Sequence, residues 1–230
     1  MENTKPVKEL ELYLIRHGQS MGNVGYDKSD LTLKEENDPY LTPLGITQAE
    51  KVGEALADIQ FDAVYSSALL RAVRTATEII KRQRNVIPLK ITPLLTEMNV
   101  NPEYKGAGMD EILEICGFAE LAEGINENDS LVCCNDSDDE IGLFERAEKA
   151  IKLLRSQYNK GEKVALVCHA AIMTYLTFYI MGYEKSVPLF DINFSNTSVT
   201  KIIFYKEGTN KYGDIVFEYI NSTVHLDNKY

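Results

Sequence analysis

The chain has 230 residues, 44% of them hydrophobic and 26% charged, enough to bury a sizeable core as a single α/β domain over 1–230. A formal net charge of −11 argues against a nucleic-acid partner, which calls for a basic field, but leaves room for a local arginine cluster that receives phosphate. The sequence has no apolar run of about 18 residues, and Met1 to Glu9 is too charged for a signal peptide, so a cytoplasmic protein with no membrane partner is expected. Cysteines 116, 133, 134 and 168 have neither metal-ligand spacing nor the density of a secreted scaffold, and they read as free thiols.

The first predicted strand, 10–15, carries the apolar residues Leu12 to Ile15 and stops at Arg16-His17-Gly18. A cation, a nucleophile with an ordinary pKa near ~6.5, and a residue free to turn sharply or approach a ligand closely meet at that strand end. The acidic stretch Asp27 to Asp38 reads as a solvated loop. A helix over 43–58 follows, with Thr42 as cap and Pro43 in its first turn, and then a strand over 61–65. The next helix, 68–83, takes Ser66 or Ser67 as its cap. Arg71 falls in or near its first turn, where a cation opposes the helix dipole unless an anion lies beside it. The two readings are a bound phosphate there, or a solvated basic face shared with Arg74.

A strand over 87–91 precedes a segment with one or two helices, in which the stretch Asp110 to Glu140 is again acidic. A helix over 141–158 leads to a strand over 163–168, which ends in Cys168-His169-Ala170-Ala171. His17 and His169 therefore occupy equivalent strand ends, which converge if their strands are neighbours in a parallel sheet. Alternation turns the Cys168 side chain away from His169, into buried packing. A helix over 171–181 and strands near 198–205 and 214–220 complete the pattern, and His225 in the tail reads as structural or exposed. Alternating strands and helices predict a three-layer α/β/α sandwich with a mostly parallel central sheet.

Leu14 to Ser20 with Asn23 fits RHG-(E/Q)-(S/T)-xx-N, Leu41 to Ala49 fits LTxxGxxQA, and Ser66 to Ala76 fits SSxLxRAxxTA. With His169 and the strand opening Asn196 to Thr200, these segments resemble the histidine phosphatase superfamily, branch 1, the phosphoglycerate mutase-like branch. The resemblance runs from about residue 11 to about residue 204. It implies that His17 attacks phosphorus in line to give a phosphohistidine, while Arg16, Arg71 and His169 hold the non-bridging oxygens. Two guanidiniums and a protonated imidazole would neutralise the transferring group, with no metal and no cofactor. Asn23 would add a hydrogen bond to phosphate or stabilise its own turn.

Relatives commonly carry two glycines where this chain has Ala170-Ala171. Ala170 keeps the backbone amide for a phosphate contact, without strain if the turn is ordinary and with strain if it needs positive φ. Glu97 is the expected acid that protonates the leaving oxygen, a task helped by partial burial or by a neighbouring carboxylate. Glu103 is the candidate neighbour or rival. Residues 99–106 read NVNPEYKG where relatives have a glycine and then a tryptophan-glutamate-glycine trio, and the chain has no tryptophan. Relatives place a variable cap there, so 99–140 is expected to be the substrate-selecting segment.

A metal-independent phosphatase acting on a small phosphorylated metabolite is the leading expectation. A phosphoglycerate mutase-type phosphotransferase comes second, because the longer tryptophan-containing substrate segment of such mutases is missing. A non-catalytic binder of phospho-ligands is favoured by the altered loops and opposed by the intact set Arg16, His17, Arg71 and His169. A histidine-metal hydrolase is weaker still, since Arg16 would repel a cation at His17 and no HxH or HExxH spacing exists. Sugar phosphates, phosphoglycerates, nucleotides and cofactor precursors all present the same dianion to such a core.

Overall fold

Leu10, Leu12, Tyr13, Leu14 and Ile15 are buried because the strand they build, β1 (Lys8–Arg16), lies inside a sheet covered on both faces. Burying each of these side chains is worth about 2 kcal/mol relative to exposure, which fixes β1 at the centre. Glu11, buried among them, is answered by Lys8 at 2.6 Å and Lys201 at 3.2 Å. This computed structural model describes residues 5–25, 29–126, 129–132, 139–184 and 191–226. The other strands are β2 (Ala63–Ser66), β3 (Leu89–Ile91), β4 (Ala119–Leu121), β5 (Glu162–Cys168), β6 (Val199–Tyr205) and β7 (Ile215–Ser222). They lie in the order β4-β3-β2-β5-β1-β6-β7, parallel from β4 to β1, with β6 antiparallel to β1 and β7 antiparallel to β6.

Alternate residues of the central strands serve different layers. Leu12, Leu14, Val164 and Leu166 pack against α6 (Glu140–Gln157) and α7 (Ala170–Ile180), and Cys168 joins them. Tyr13, Ile15, Ala165 and Val167 pack on the other face against α3 (Pro43–Ala55), α4 (Leu70–Ile80) and α5 (Met109–Ile115). The result is the expected α/β/α sandwich with a mostly parallel sheet.

Several elements differ from expectation. Residues 119–121 form the edge strand β4, and α5 buries Ile112 in the main core, so much of the segment taken for a cap belongs to the sandwich. A three-residue strand reading Ala-Glu-Leu is too short to show a period. Two short helices, α1 (Met21–Val24) and α2 (Leu33–Asn37), are not among the expected elements; α2 stands in the stretch read as loop, and Thr32 with Glu35 forms its capping box. The helix expected over 43–58 ends at Ala55, and the one expected from residue 68 starts at Leu70. Cys116 and Cys168 are buried free thiols, while Cys133, Cys134, Asp27, Asp136 and Asp138 lie outside the described residues. Among the described residues no helix is long and apolar enough to cross a membrane.

Candidate active site

The sheet order turns motifs far apart in sequence into one site. β3, β2, β5 and β1 are consecutive and parallel, so their carboxyl ends deliver Glu97, Arg71, His169 and the pair Arg16-His17 to one edge. Arg16 pairs with Cys168 in the β1–β5 register, and the His17 amide donates to the Cys168 carbonyl at 3.0 Å. The rings of His17 and His169 stand 5.0 Å apart. Burial pushes the Cys168 thiol well above its ordinary value, which makes it a packing residue.

His17 is 3% exposed, and its Nδ1 lies 2.7 Å from the Gly18 carbonyl. A carbonyl only accepts, so Nδ1 carries the proton and Nε2 keeps its lone pair. Burial first, then the guanidiniums of Arg71 and Arg16, hold His17 well below its ordinary value of 6.5, and the ring is neutral. His169 is fully buried, and neither ring nitrogen has a hydrogen-bond partner among the described residues. Burial first, then the guanidiniums of Arg71, Arg16 and Arg146 and the neighbouring His17, hold its pKa well below the ordinary value. The surroundings of His169 among the described residues thus favour the neutral ring over the protonated imidazole expected there.

The anion beside Arg71 is supplied by the protein itself. Arg71 Nη1 donates to Asp38 Oδ1 at 3.2 Å and to the Asn37 carbonyl at 3.0 Å, while Asp38 Oδ2 accepts from the Leu70 amide at 2.7 Å. Asp38 thus answers the first turn of α4, in place of the expected Ser66 or Ser67 cap. Leu69 holds the N-cap position, Ser67 Oγ accepts from its amide at 3.2 Å, and Ser66 Oγ donates to the Ser67 carbonyl at 2.8 Å. The Asp38 side chain has no exposure, so the solvated-loop reading fails at this residue; burial raises its pKa against the pull of Arg71 and the Leu70 amide. Arg71 is buried and Arg74 exposed, which removes the shared basic face. Arg16 Nη1 donates to the Phe194 carbonyl at 2.5 Å, so both guanidiniums are gripped from behind.

A cavity of about 790 Å³ opens over this floor, touching Arg16, His17, Arg71 and Glu97 and walled by Met98 to Pro102. His169, which is buried, and Ala170 are not among the residues that line it. Glu97 Oε1 accepts from the Met98 amide at 3.0 Å, and Oε2 faces the Ala171 amide at 3.4 Å. Glu103 is exposed and outside the cavity, so it is not brought to Glu97. Asn23 lines the cavity, and its Oδ1 accepts from the Ser20 amide at 3.0 Å, which realises the turn-stabilising reading.

Ala170 and Ala171 open α7, and the non-glycine residues with positive φ among those described are Asn99, Thr197 and Asn221, so the alanines are unstrained. Gly18 makes room for protein rather than ligand: a Cβ there would sit 2.3 Å from the Gly45 carbonyl. His225 is structural, its Nε2 lying 3.2 Å from Thr197 Oγ1.

Sequence reasoning missed the residues that hold the site. Thr75 Oγ1 accepts from the Gly18 amide at 3.1 Å, Gln48 Oε1 from the Gln19 amide at 2.8 Å, and Asn196 Nδ2 donates to the His17 carbonyl at 3.1 Å. All three stood inside the matched motifs. The signal for Asp38 was the cation in the first turn of α4, which demanded an anion. Arg146, buried in α6 and donating to the Thr96 carbonyl at 3.0 Å, left no signal in its helical pattern.

The family model described as the histidine phosphatase superfamily (branch 1) matches residues 12–212. The chain belongs to this superfamily. It is 38% identical over 112 residues to a 2,3-bisphosphoglycerate-dependent phosphoglycerate mutase of Bartonella henselae, a match covering 47% of this chain and 52% of that protein. The chain thus spans about half the length of the mutase it matches. It is 26% identical over 181 residues, 75% of this chain and 80% of the other, to the adenosylcobalamin/alpha-ribazole phosphatase of Escherichia coli K12. The crystal structure of phosphoserine phosphatase from Entamoeba histolytica in complex with 3-phosphoglyceric acid has the same fold, with a TM-score of 0.58, 23% identity and coverage of 94% of this chain and 99% of that one.

Proposed function

We propose that the protein is a metal-independent, cytoplasmic phosphatase that hydrolyses a small phosphomonoester through a phosphohistidine on His17, with residues 98–102 as the substrate-selecting wall of a single domain. The reading rests on the state of His17: a neutral ring, Nδ1 fixed on Gly18, and Nε2 free beside two anchored guanidiniums. Arg16 and Arg71 take the non-bridging oxygens as forks, which neutralises charge and aligns phosphorus without a metal. The Nε2–P bond forms as the ester P–O bond breaks, and Glu97 gives its proton to the leaving oxygen. Water then attacks phosphorus, returns a proton to Glu97, and the N–P bond breaks to release inorganic phosphate.

His169 reaches the phosphoryl group once it sits on Nε2, since its ring is 5.0 Å from that of His17. A phosphate dianion beside the ring brings negative charge to it, so binding draws a proton onto His169. Ala170 adds its amide from the amino end of α7, and Asn23 its side-chain amide.

The match to a mutase favours a second reading, in which the retained product rather than water takes the phosphoryl group back. The separating experiment measures phosphate release from an activated aryl phosphate, with a metal chelator present, by wild type and His17→Ala. Steady release by wild type, falling on the order of 10⁴-fold or more in the variant, is expected. Equal release by both, or its abolition by the chelator, would overturn the phosphatase reading. A single turnover with wild type that halts at a labelled phosphohistidine would favour the mutase.

A further inference from the structure

Once the phosphate occupies Arg16 and Arg71, the charged groups left on the cavity surface are carboxylates. The titratable side chains lining the cavity are Arg16, Arg71, Glu36 and Glu97, apart from His17, and among the described residues no third cation reaches it. The lysines closest in sequence to the walls are engaged elsewhere: Lys34 pairs with Glu111, and Lys105 Nζ donates to the Pro102 carbonyl at 2.9 Å. Asn37 and Asn101 line the cavity too, as neutral side chains that are partly engaged. Asn37 Nδ2 donates to the Leu33 carbonyl at 2.7 Å, Asn37 Oδ1 accepts from the Asn101 amide at 2.6 Å, and Asn101 Oδ1 from the Glu103 amide at 2.9 Å.

Glu36 is held in place by the device that holds Arg71. It lies in α2, immediately before Asn37 and Asp38, whose carbonyl and carboxylate grip the Arg71 guanidinium. The helix is tied down at both ends, by the Thr32–Glu35 capping box and by the buried Asp38. Glu36 thus places an exposed carboxylate on the cavity wall, next in sequence to the residues that grip Arg71, and no hydrogen bond or ion pair within the described residues engages it.

We propose that Glu36 selects, at the site of the proposed phosphatase and resting on that reading, for a phosphomonoester whose only anionic group is its phosphate, with preference for a body that bears an ammonium. A second carboxylate or phosphate on the substrate meets Glu36 with no cation among the described residues to receive it; a neutral polyol body is tolerated, and an ammonium group gains an ion pair. The effect is electrostatic at a wet rim, so it weakens as salt is added.

Three probes of similar size isolate the charge of the body: phosphoethanolamine, glycerol phosphate and phosphoglycolate, with an aryl phosphate as reference. Wild type is expected to favour phosphoethanolamine over phosphoglycolate in kcat/KM by about tenfold or more at low salt, with glycerol phosphate between them. Glu36→Gln should compress this ratio and Glu36→Lys invert it; because a ratio is read, a general loss of folding cancels. Equal or better use of phosphoglycolate by wild type would overturn the selectivity while aryl phosphate turnover keeps the phosphatase reading. A wild-type preference unchanged in both variants would overturn the assignment to Glu36. Release from none of the four compounds would end the phosphatase reading. Calorimetric binding of the same three probes would then decide the selectivity by the same order.

Discussion

Arg16 and His17 reach the cavity through backbone pairing on both sides of β1, with Gly18, Gln19 and the His17 carbonyl each taken by a side chain from another element. Met98 to Pro102 reach the same cavity from a loop held by far less. Val100 packs in a small cluster with Leu69, Tyr104 and Val132, the Asn101 amide bonds to Asn37, and Asn99 sits at φ 59°. The floor is over-determined by pairings that leave no freedom to its reacting atoms. The wall is tied at a few points, two of which, Asn101 on Asn37 and Tyr104 on Asp38, run to the residues that grip Arg71. On the proposed function, chemistry belongs to the first region and selectivity to the second.

The floor breaks where a side chain has no room. A Cβ on Gly45 would lie 1.9 Å from the Gln19 carbonyl oxygen, a contact between backbone atoms of α3 and of the loop that follows β1. Gly45→Ala must therefore push residues 18–20 away from α3, at a cost of about 3 kcal/mol or more in a denaturant midpoint measurement. A loss under about 1 kcal/mol would show that this loop yields, and the contrast with the wall would lose its basis.

Acid probes the floor through its histidines. His17 and His169 both have pKa values depressed below 6.5 in the folded chain, so the unfolded chain binds more protons below that value. The stability they permit is whole above pH 6.5 and is lost as pH falls from there toward the folded values. Each imidazole contributes a slope of up to about 1.4 kcal/mol per pH unit, or about 3 for the pair. Urea midpoints between pH 7 and 5 should fall accordingly, with a shallower slope in His169→Gln. Identical slopes in wild type and variant would mean that His169 binds protons alike in the folded and unfolded chain, and would undo the account of a ring held neutral by its surroundings.

The floor was also the legible region. Apolar runs ending in Arg16-His17 and in Cys168-His169 located two strand ends, and adjacency of β1 and β5 in a parallel sheet does the rest. Gln48, Thr75 and Asn196 stood in the same motifs, yet their hydrogen bonds cannot be read from spacing, because each partner lies on a different element. Asp38 was misread since an acidic run looks solvated in sequence, and only burial against Arg71 and Leu70 distinguishes it. Residues 119–121 were absorbed into a supposed cap because a short edge strand has no period of its own. The wall offered nothing comparable: its course depends on scattered tertiary contacts of Val100, Asn101 and Tyr104.

The comparison is sharpest at the two glutamates that flank the wall. Glu97 stands on the floor side, with one oxygen on the Met98 amide and the other facing Ala171, and its charge acts on Arg16. Glu97→Gln keeps the shape and removes the transferable proton, so turnover of an alkyl phosphate should fall about 10²-fold, while an aryl phosphate, whose leaving group departs without help, slows far less. Glu103 stands six positions on, exposed and outside the cavity. Its backbone amide serves Asn101, a bond that Glu103→Gln leaves intact. That variant should therefore keep kcat/KM within about twofold for both substrates and stability within about 0.5 kcal/mol. The pair of variants reads two questions at once. If Glu103→Gln slowed the alkyl phosphate as much as Glu97→Gln, the wall would have to fold inward on binding to bring its own carboxylate to the leaving oxygen. The acid would then belong to the wall rather than to the floor. With Glu103→Gln silent, the proton comes from a residue fixed by the end of α7, and the wall is left with selection alone.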